Sequence, residues 1–147
     1  MAGQLAVDFG TSNTVIARWD PAEETGRPIL VKGYGVDSPE GIPIVPSLIH
    51  YAPGGEVWIG NQVLERNLQH HENTFRLMKR YISNKAPAIP RNLGNGLKKT
   101  VYEAGGDFLK AVLEAVAADF SIEDDEVAFS VPVEAYEHYA DWLTTVA

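Results

Sequence analysis

Leu5-Ala6-Val7-Asp8-Phe9-Gly10-Thr11-Ser12-Asn13-Thr14-Val15-Ile16-Ala17 decides the fold of this chain. Two apolar runs, Leu5 to Phe9 and Thr14 to Trp19, flank a polar corner of Gly10, Thr11, Ser12 and Asn13. Val- and Ile-rich runs joined by a Gly-containing turn predict a β-hairpin. The corner is chemically unusual. A carboxylate, Asp8, precedes the turn, and a glycine, two hydroxyls and an amide follow it. Glycine lets a ligand approach the backbone, and successive turn N–H groups form an anion-binding concavity. The hydroxyls add donors, and the carboxylate can hold a hydrated Mg²⁺. Those residue types suit a phosphate cradle; equally, Asp-x-Gly with polar neighbours makes an ordinary solvated hairpin turn, because short glycine motifs also match by chance.

Composition narrows what such a corner can serve. The 147 residues fit one domain, and 45% hydrophobic against 22% charged residues describes a chain that folds around a core. A net charge of −8 argues against nucleic acid or an anionic membrane as partner, since both demand a basic face. The cluster Glu123-Asp124-Asp125-Glu126 reads as a solvated turn rather than a metal site. The absence of cysteine excludes disulfides and thiolate metal sites and suits a cytoplasmic setting. Asp8 interrupts the N-terminal apolar run, which speaks against a signal peptide, and no apolar run reaches transmembrane length.

Outward from the hairpin, Asp20 to Gly26 reads as a turn and Pro28 to Lys32 as a third strand, completing an antiparallel meander. Gly33-Tyr34-Gly35-Val36-Asp37-Ser38 lacks the third glycine of a dinucleotide fingerprint. Three prolines and Gly41 between Asp37 and Pro46 argue against a central strand there. A second hairpin follows, Ser47 to Tyr51 and Val57 to Ile59 around Pro53-Gly54-Gly55. Two short helical patterns come next: one capped by Asn61 with Val63, Leu64 and Leu68, the other capped by Asn73 or Thr74 with Phe75, Met78 and Ile82. Asn84 to Asn95 reads as a loop, and Gly94 to Thr100 only superficially imitates a Walker loop, its glycine-to-lysine spacing being wrong. Gly106-Asp107 opens the strongest helix, with Phe108, Leu109, Val112, Leu113, Val116 and Phe120 on one face. Val127 to Val133 predicts a buried strand ended by Pro132, and Tyr136, Tyr139, Trp142 and Leu143 trace a final amphipathic helix. A buried strand after a crossover helix lies parallel to a neighbour in the same sheet. The predicted fold class is α/β with α+β character, a mixed sheet in the order 3-2-1-4.

That order and the Asp-x-Gly-Thr corner resemble the actin-like ATPase superfamily with its ribonuclease-H-like core. Further segments resemble the seventy-kilodalton heat-shock chaperones of the DnaK type. Val7 to Asn13 is similar to that family's first phosphate motif. Ile44-Val45-Pro46-Ser47 is similar to its Val-Pro-Ser segment, and Ile59-Gly60-Asn61-Gln62 to its Val-Gly-x-x helix start. Asn73-Thr74 followed by Lys79-Arg80 matches the spacing around the family's catalytic lysine, and Phe129 to Val133 is similar to its Thr-Val-Pro-Ala strand end. The matches keep chain order from residue 5 to about residue 133.

The resemblance implies an ATP/ADP and Mg²⁺ site. In it Asp8 holds Mg²⁺ through water, and Gly10, Thr11, Ser12 and Asn13 bind phosphate, with Ser12 standing where the family has a second threonine. Lys79 is implied as the catalytic lysine at the γ-phosphate, and Pro132 as an allosteric switch; a solvated helix lysine and a strand terminator are the plainer roles open to these two. Residues 1–36 and 105–147 would form the core of an incomplete first lobe, with 37–104 a small inserted subdomain. Its partners would be the remaining ATPase lobe, a substrate-binding domain, unfolded clients and co-chaperones in a stress response. Two departures stand out: the region between Lys79 and Gly106 is shorter than in the chaperones, and Ala140 stands where they carry an arginine. The family's second phosphate loop and adenosine pocket come later in its chain, so these residues read as a fragment, nearly inactive alone, of an ATPase. A non-enzymatic binding module and a sugar- or acetate-kinase-like enzyme are the alternatives.

Overall fold

The computed structural model describes residues 4–20, 22–119, 126–129 and 142. Alternation builds the first strand, β1 (Gln4–Phe9): Leu5, Val7 and Phe9 point into the core while Ala6 and Asp8 face out. It pairs antiparallel with β2 (Asn13–Asp20), placing Asp8 opposite Val15 and Phe9 opposite Thr14. β3 (Thr25–Pro28) pairs with the far half of β2. It begins three residues earlier than the sequence suggests, because Glu24 takes a positive φ of 51° and tightens the turn. Ile29 still donates to Ile16 O at 2.7 Å, and Val31 is buried without being in a strand.

β4 (Val36–Asp37) and β5 (Pro43–Pro46) extend the same sheet beyond the near half of β2. The prolines therefore do not keep this segment out of the sheet. Two of the three, Pro43 and Pro46, sit at the ends of β5, and Ile44 and Val45 between them make the register with Val36 and Thr14. On the other side β11 (Glu126–Phe129) runs parallel to β1, pairing Leu5 with Val127 and Val7 with Phe129. From β3 the neighbours are thus β2, β1 and β11.

β6 (Ile49–Tyr51), β7 (Val57–Ile59) and β8 (Thr74–Phe75) form a three-stranded sheet with β6 in the middle. Thr74 is consequently a strand residue rather than a helix cap. The helix after it, α2 (Met78–Ser83), starts from Leu77 in the left-handed region at φ 56°. Likewise α1 (Asn61–Glu65) begins one residue before expected, on Gly60, and Asn61 instead donates from its side chain to Glu65 at 2.8 Å. Gly60 is required there. At φ 60° any added Cβ would lie 2.5 Å from Tyr34 O.

β9 (Arg91–Gly94), within the segment read as a loop, makes a hairpin with β10 (Leu97–Lys99) just beyond it. Asn95 at φ 53° and Gly96 at φ 79° supply the two positive φ values that a tight hairpin turn demands. The long helix α3 (Val101–Asp119) starts five residues earlier than expected. Its start is a capping box: Glu103 N–H donates to Thr100 Oγ1 at 3.1 Å, and Thr100 N–H donates to Glu103 Oε1 at 3.0 Å. Ala104, Phe108, Leu109, Val112 and Val116 then bury one face.

Phe9 joins the layers, its ring 5.9 Å from Phe108 and 5.7 Å from Trp142. The three-stranded sheet is tied to α3 by Tyr51, whose hydroxyl donates to Asp107 Oδ2 at 2.6 Å, while Lys99 Nζ meets the same oxygen at 3.0 Å. Burial, then the Asp107 contact, push the Tyr51 phenol well above its ordinary pKa. Of the stretch that the sequence predicts as a final helix only Trp142 is described: it is helical, buried, and donates from Nε1 to Tyr102 O at 3.1 Å. Pro132, Tyr136 and Ala140 lie outside the described residues.

Candidate functional site

The polar corner is bent hard. A Cβ on Gly10 would fall 2.0 Å from Asn13 O, so only glycine permits this turn. Ser47, fully buried just after β5, clamps it from beneath. Its hydroxyl donates to Gly10 O at 2.8 Å and its N–H donates to Ser12 O at 2.9 Å. Because the Ser47 proton is committed to Gly10, the buried Thr14 hydroxyl donates to Ser47 Oγ, at 2.9 Å. The electrostatic result follows directly. Two carbonyl oxygens that would repel an anion are already occupied, while Thr11, Ser12 and Asn13 face a cleft.

That cleft has a volume of about 260 Å³. Thr11, Ser12 and Asn13 line it together with Pro46, Ser47 and Leu48, and the segment 64–77 contributes Leu64, Gln69, His70, Arg76 and Leu77. Gln69 Oε1 is buried and has no hydrogen-bond partner. A buried acceptor left unpaired costs free energy, so an orphan at a cleft is a natural contact for a ligand's donor. Leu77, left-handed at φ 56°, turns the chain between β8 and α2 and leaves Arg76 on the cleft wall.

Of the residues the sequence singles out, Thr11, Ser12 and Asn13 are brought together on this cleft, with Gly10 half-buried at their base. Asp8 is exposed on the outer face of β1. Lys79 is half-buried in the first turn of α2, two residues beyond Leu77. Neither Asp8 nor Lys79 is among the residues lining the cleft. Gln69, His70 and Arg76 are additions that sequence reading missed. Nothing local marks them, since their relation to the corner depends on the pairing of β8 with β6 and on the Leu77 turn.

Behind the cleft the packing is held by buried polar groups. Thr74 Oγ1 donates to Leu68 O at 2.6 Å and so accepts the Nδ1 proton of His50 at 2.8 Å. His50 is buried, and burial followed by the neighbouring His71 lowers its pKa below 6.5, which keeps the ring neutral. Asn73, the other buried amide of this segment, donates from Nδ2 to Tyr51 O at 3.1 Å and to Leu93 O at 3.0 Å, joining β6 to β9. This explains Asn-Thr before the lysine: both side chains are structural fasteners.

No protein-family model matches the chain. It is 29% identical over 127 residues to a chaperone protein DnaK of Gracilaria tenuistipitata var. liui, covering 84% of this chain and 18% of that protein. A chaperone protein DnaK of Thalassiosira pseudonana is 28% identical over 120 residues, covering 82% of this chain and 18% of the relative. The chain is related to the DnaK-type chaperones. A third DnaK, from Cyanidium caldarium, is 31% identical over 85 residues, 58% of this chain and 12% of its own. The chain therefore spans less than a fifth of the length of these DnaK relatives. Among the described residues no helix is long and apolar enough to cross a membrane, and no group of three or more His, Asp or Glu side chains could hold a metal ion.

Proposed function

We propose that these residues form the first phosphate-binding corner of a DnaK-type, Mg-ATP-dependent chaperone, within an incomplete actin-like first lobe on a ribonuclease-H-like core. Residues 1–36 and 105–147 would be the core and 37–104 the inserted subdomain. The observation that carries the reading is the corner itself. Its carbonyls at Gly10 and Ser12 are taken up by Ser47, and its two hydroxyls and one amide open on a cleft that also holds a guanidinium. That donor set fits phosphate oxygens. The cleft has no carboxylate among its lining residues, so Mg²⁺ would be held by phosphate oxygens and water, with Asp8 as the nearby carboxylate contributing through water.

The work of this chain's residues is positioning and charge neutralisation, which phosphoryl transfer to water chiefly needs. Gly10 permits the tight bend that presents the corner to the phosphates, Thr11, Ser12 and Asn13 donate to them, and Lys79 adds a compact positive charge at the terminal phosphate. Pro132 would report nucleotide state onward. A bound nucleotide supplies the reactive phosphoanhydride; turnover requires the second lobe of the whole protein. A binding-only module is the second reading, favoured by Asp8 and Lys79 lying outside the cleft lining.

Thermal shift of the full-length protein with Mg-ATP tests this. Ligand at a hundred times its Kd stabilises by about 2.7 kcal/mol, and the shift is expected to vanish in Asp8→Ala and Thr11→Val. No shift in the wild type refutes nucleotide binding. An unchanged ATPase rate in Lys79→Ala refutes its catalytic role, and a wild type that binds Mg-ATP without hydrolysing it leaves the binding module.

A further inference from the structure

Arg76 is the one strong cation on the lining of the corner cleft. Its surroundings differ from those of Arg91, the arginine on the neighbouring polar cleft. Arg91 is fastened: its Nη1 donates to Thr74 O at 2.9 Å and Glu72 O at 3.3 Å, and its guanidinium lies 4.1 Å from the centroid of the Phe75 ring. Arg76 is exposed, borders both clefts, and among the described residues pairs with no carboxylate. A guanidinium offers five donors in a planar fork suited to phosphate oxygens. The orphaned Gln69 Oε1 on the same cleft adds the complementary acceptor.

We propose that Arg76 is a second phosphate-binding cation of this site, reaching the terminal phosphate of a nucleoside triphosphate and so favouring triphosphate over diphosphate. Gln69 accepts a hydrogen bond from a water on that phosphate. The inference rests on the proposed nucleotide site and deepens it. The Leu77 turn is what makes it geometrically sensible: it sets Arg76 on the cleft wall, while Lys79 follows in the first turn of α2, off the cleft lining.

The test is isothermal titration of the full-length protein with Mg-ATP, Mg-ADP and tripolyphosphate, on wild type, Arg76→Ala, Arg76→Lys and Gln69→Leu. A charge-assisted contact is worth about tenfold to a hundredfold in affinity. Arg76→Ala should weaken Mg-ATP and tripolyphosphate by about that factor and Mg-ADP by less than about threefold, with Arg76→Lys recovering part of the loss. Gln69→Leu should weaken ATP more than ADP as well. Unchanged ATP affinity in Arg76→Ala, or equal losses for ATP and ADP, overturns the proposal while nucleotide binding by the wild type stands. A wild type that binds neither nucleotide nor tripolyphosphate overturns both. Circular dichroism of each variant shows whether a loss comes from unfolding; if Arg76→Ala does not fold, the ATP-to-ADP ratio of Arg76→Lys decides.

Discussion

Replacing Ser47 by alanine removes one oxygen and tests how the corner is held. Ser47 and Thr14 are both fully buried, and their hydroxyls form a chain, Thr14 to Ser47 to Gly10 O. Deleting the middle link breaks both bonds: the one to Gly10 O is worth about 1 kcal/mol, and the Thr14 hydroxyl, left stranded in the interior, costs a further 1–2 kcal/mol or so. Ser47→Ala should therefore destabilise the chain by about 2–3 kcal/mol. Urea denaturation followed by Trp fluorescence measures this as a lower midpoint with an unchanged slope. A double-mutant cycle supplies the sharper check. Thr14→Val replaces the stranded hydroxyl with a methyl of similar shape, so Thr14→Val/Ser47→Ala should be more stable than the sum of the single losses by about 1 kcal/mol. Strict additivity, or a Ser47→Ala cost below about 0.5 kcal/mol, would refute the relay and with it the account of how the carbonyls are sequestered.

Gly10→Ala forces a Cβ into the Asn13 carbonyl, so the full-length protein should lose its Mg-ATP thermal shift even if it stays folded, as circular dichroism would show. Thr100→Ala breaks the α3 capping box and should cost about 1 kcal/mol by urea denaturation, whereas Thr100→Ser should be nearly neutral. His50 has a lowered pKa in the folded state, so below pH 6.5 the unfolded chain binds a proton the folded one resists. Stability should be flat above that pH and fall as pH drops below it, with a shallower fall in His50→Gln.

Much of the larger sheet is legible in sequence because its signals are local. Leu5, Val7 and Phe9 alternate with outward residues, and β11 follows a crossover helix, which places it parallel beside β1. Two misreadings had readable cues. Asn95-Gly96 is a hairpin turn, and Thr100-x-x-Glu103 is a helix start that the paired glycines at 105 and 106 obscure. Gly105 stands inside the helix because a side chain there would strike Trp142 and Ile82. The cleft was only half legible. Its corner is a contiguous motif, but Arg76 and Gln69 reach it through a two-residue strand and a left-handed leucine. No periodicity encodes either feature.

The parallel pairing of β1 with β11 joins residues more than 120 positions apart, so β1 must wait for more than a hundred further residues to be made before it acquires this neighbour. Until residues 126–129 emerge, one border of β1 presents unmatched amide and carbonyl groups beside an apolar face, a template for misassociation. Closing so long a loop also makes this a slow step of chain maturation. A relative of the chaperones thus carries, in its own topology, a nascent interval during which it would itself profit from protection.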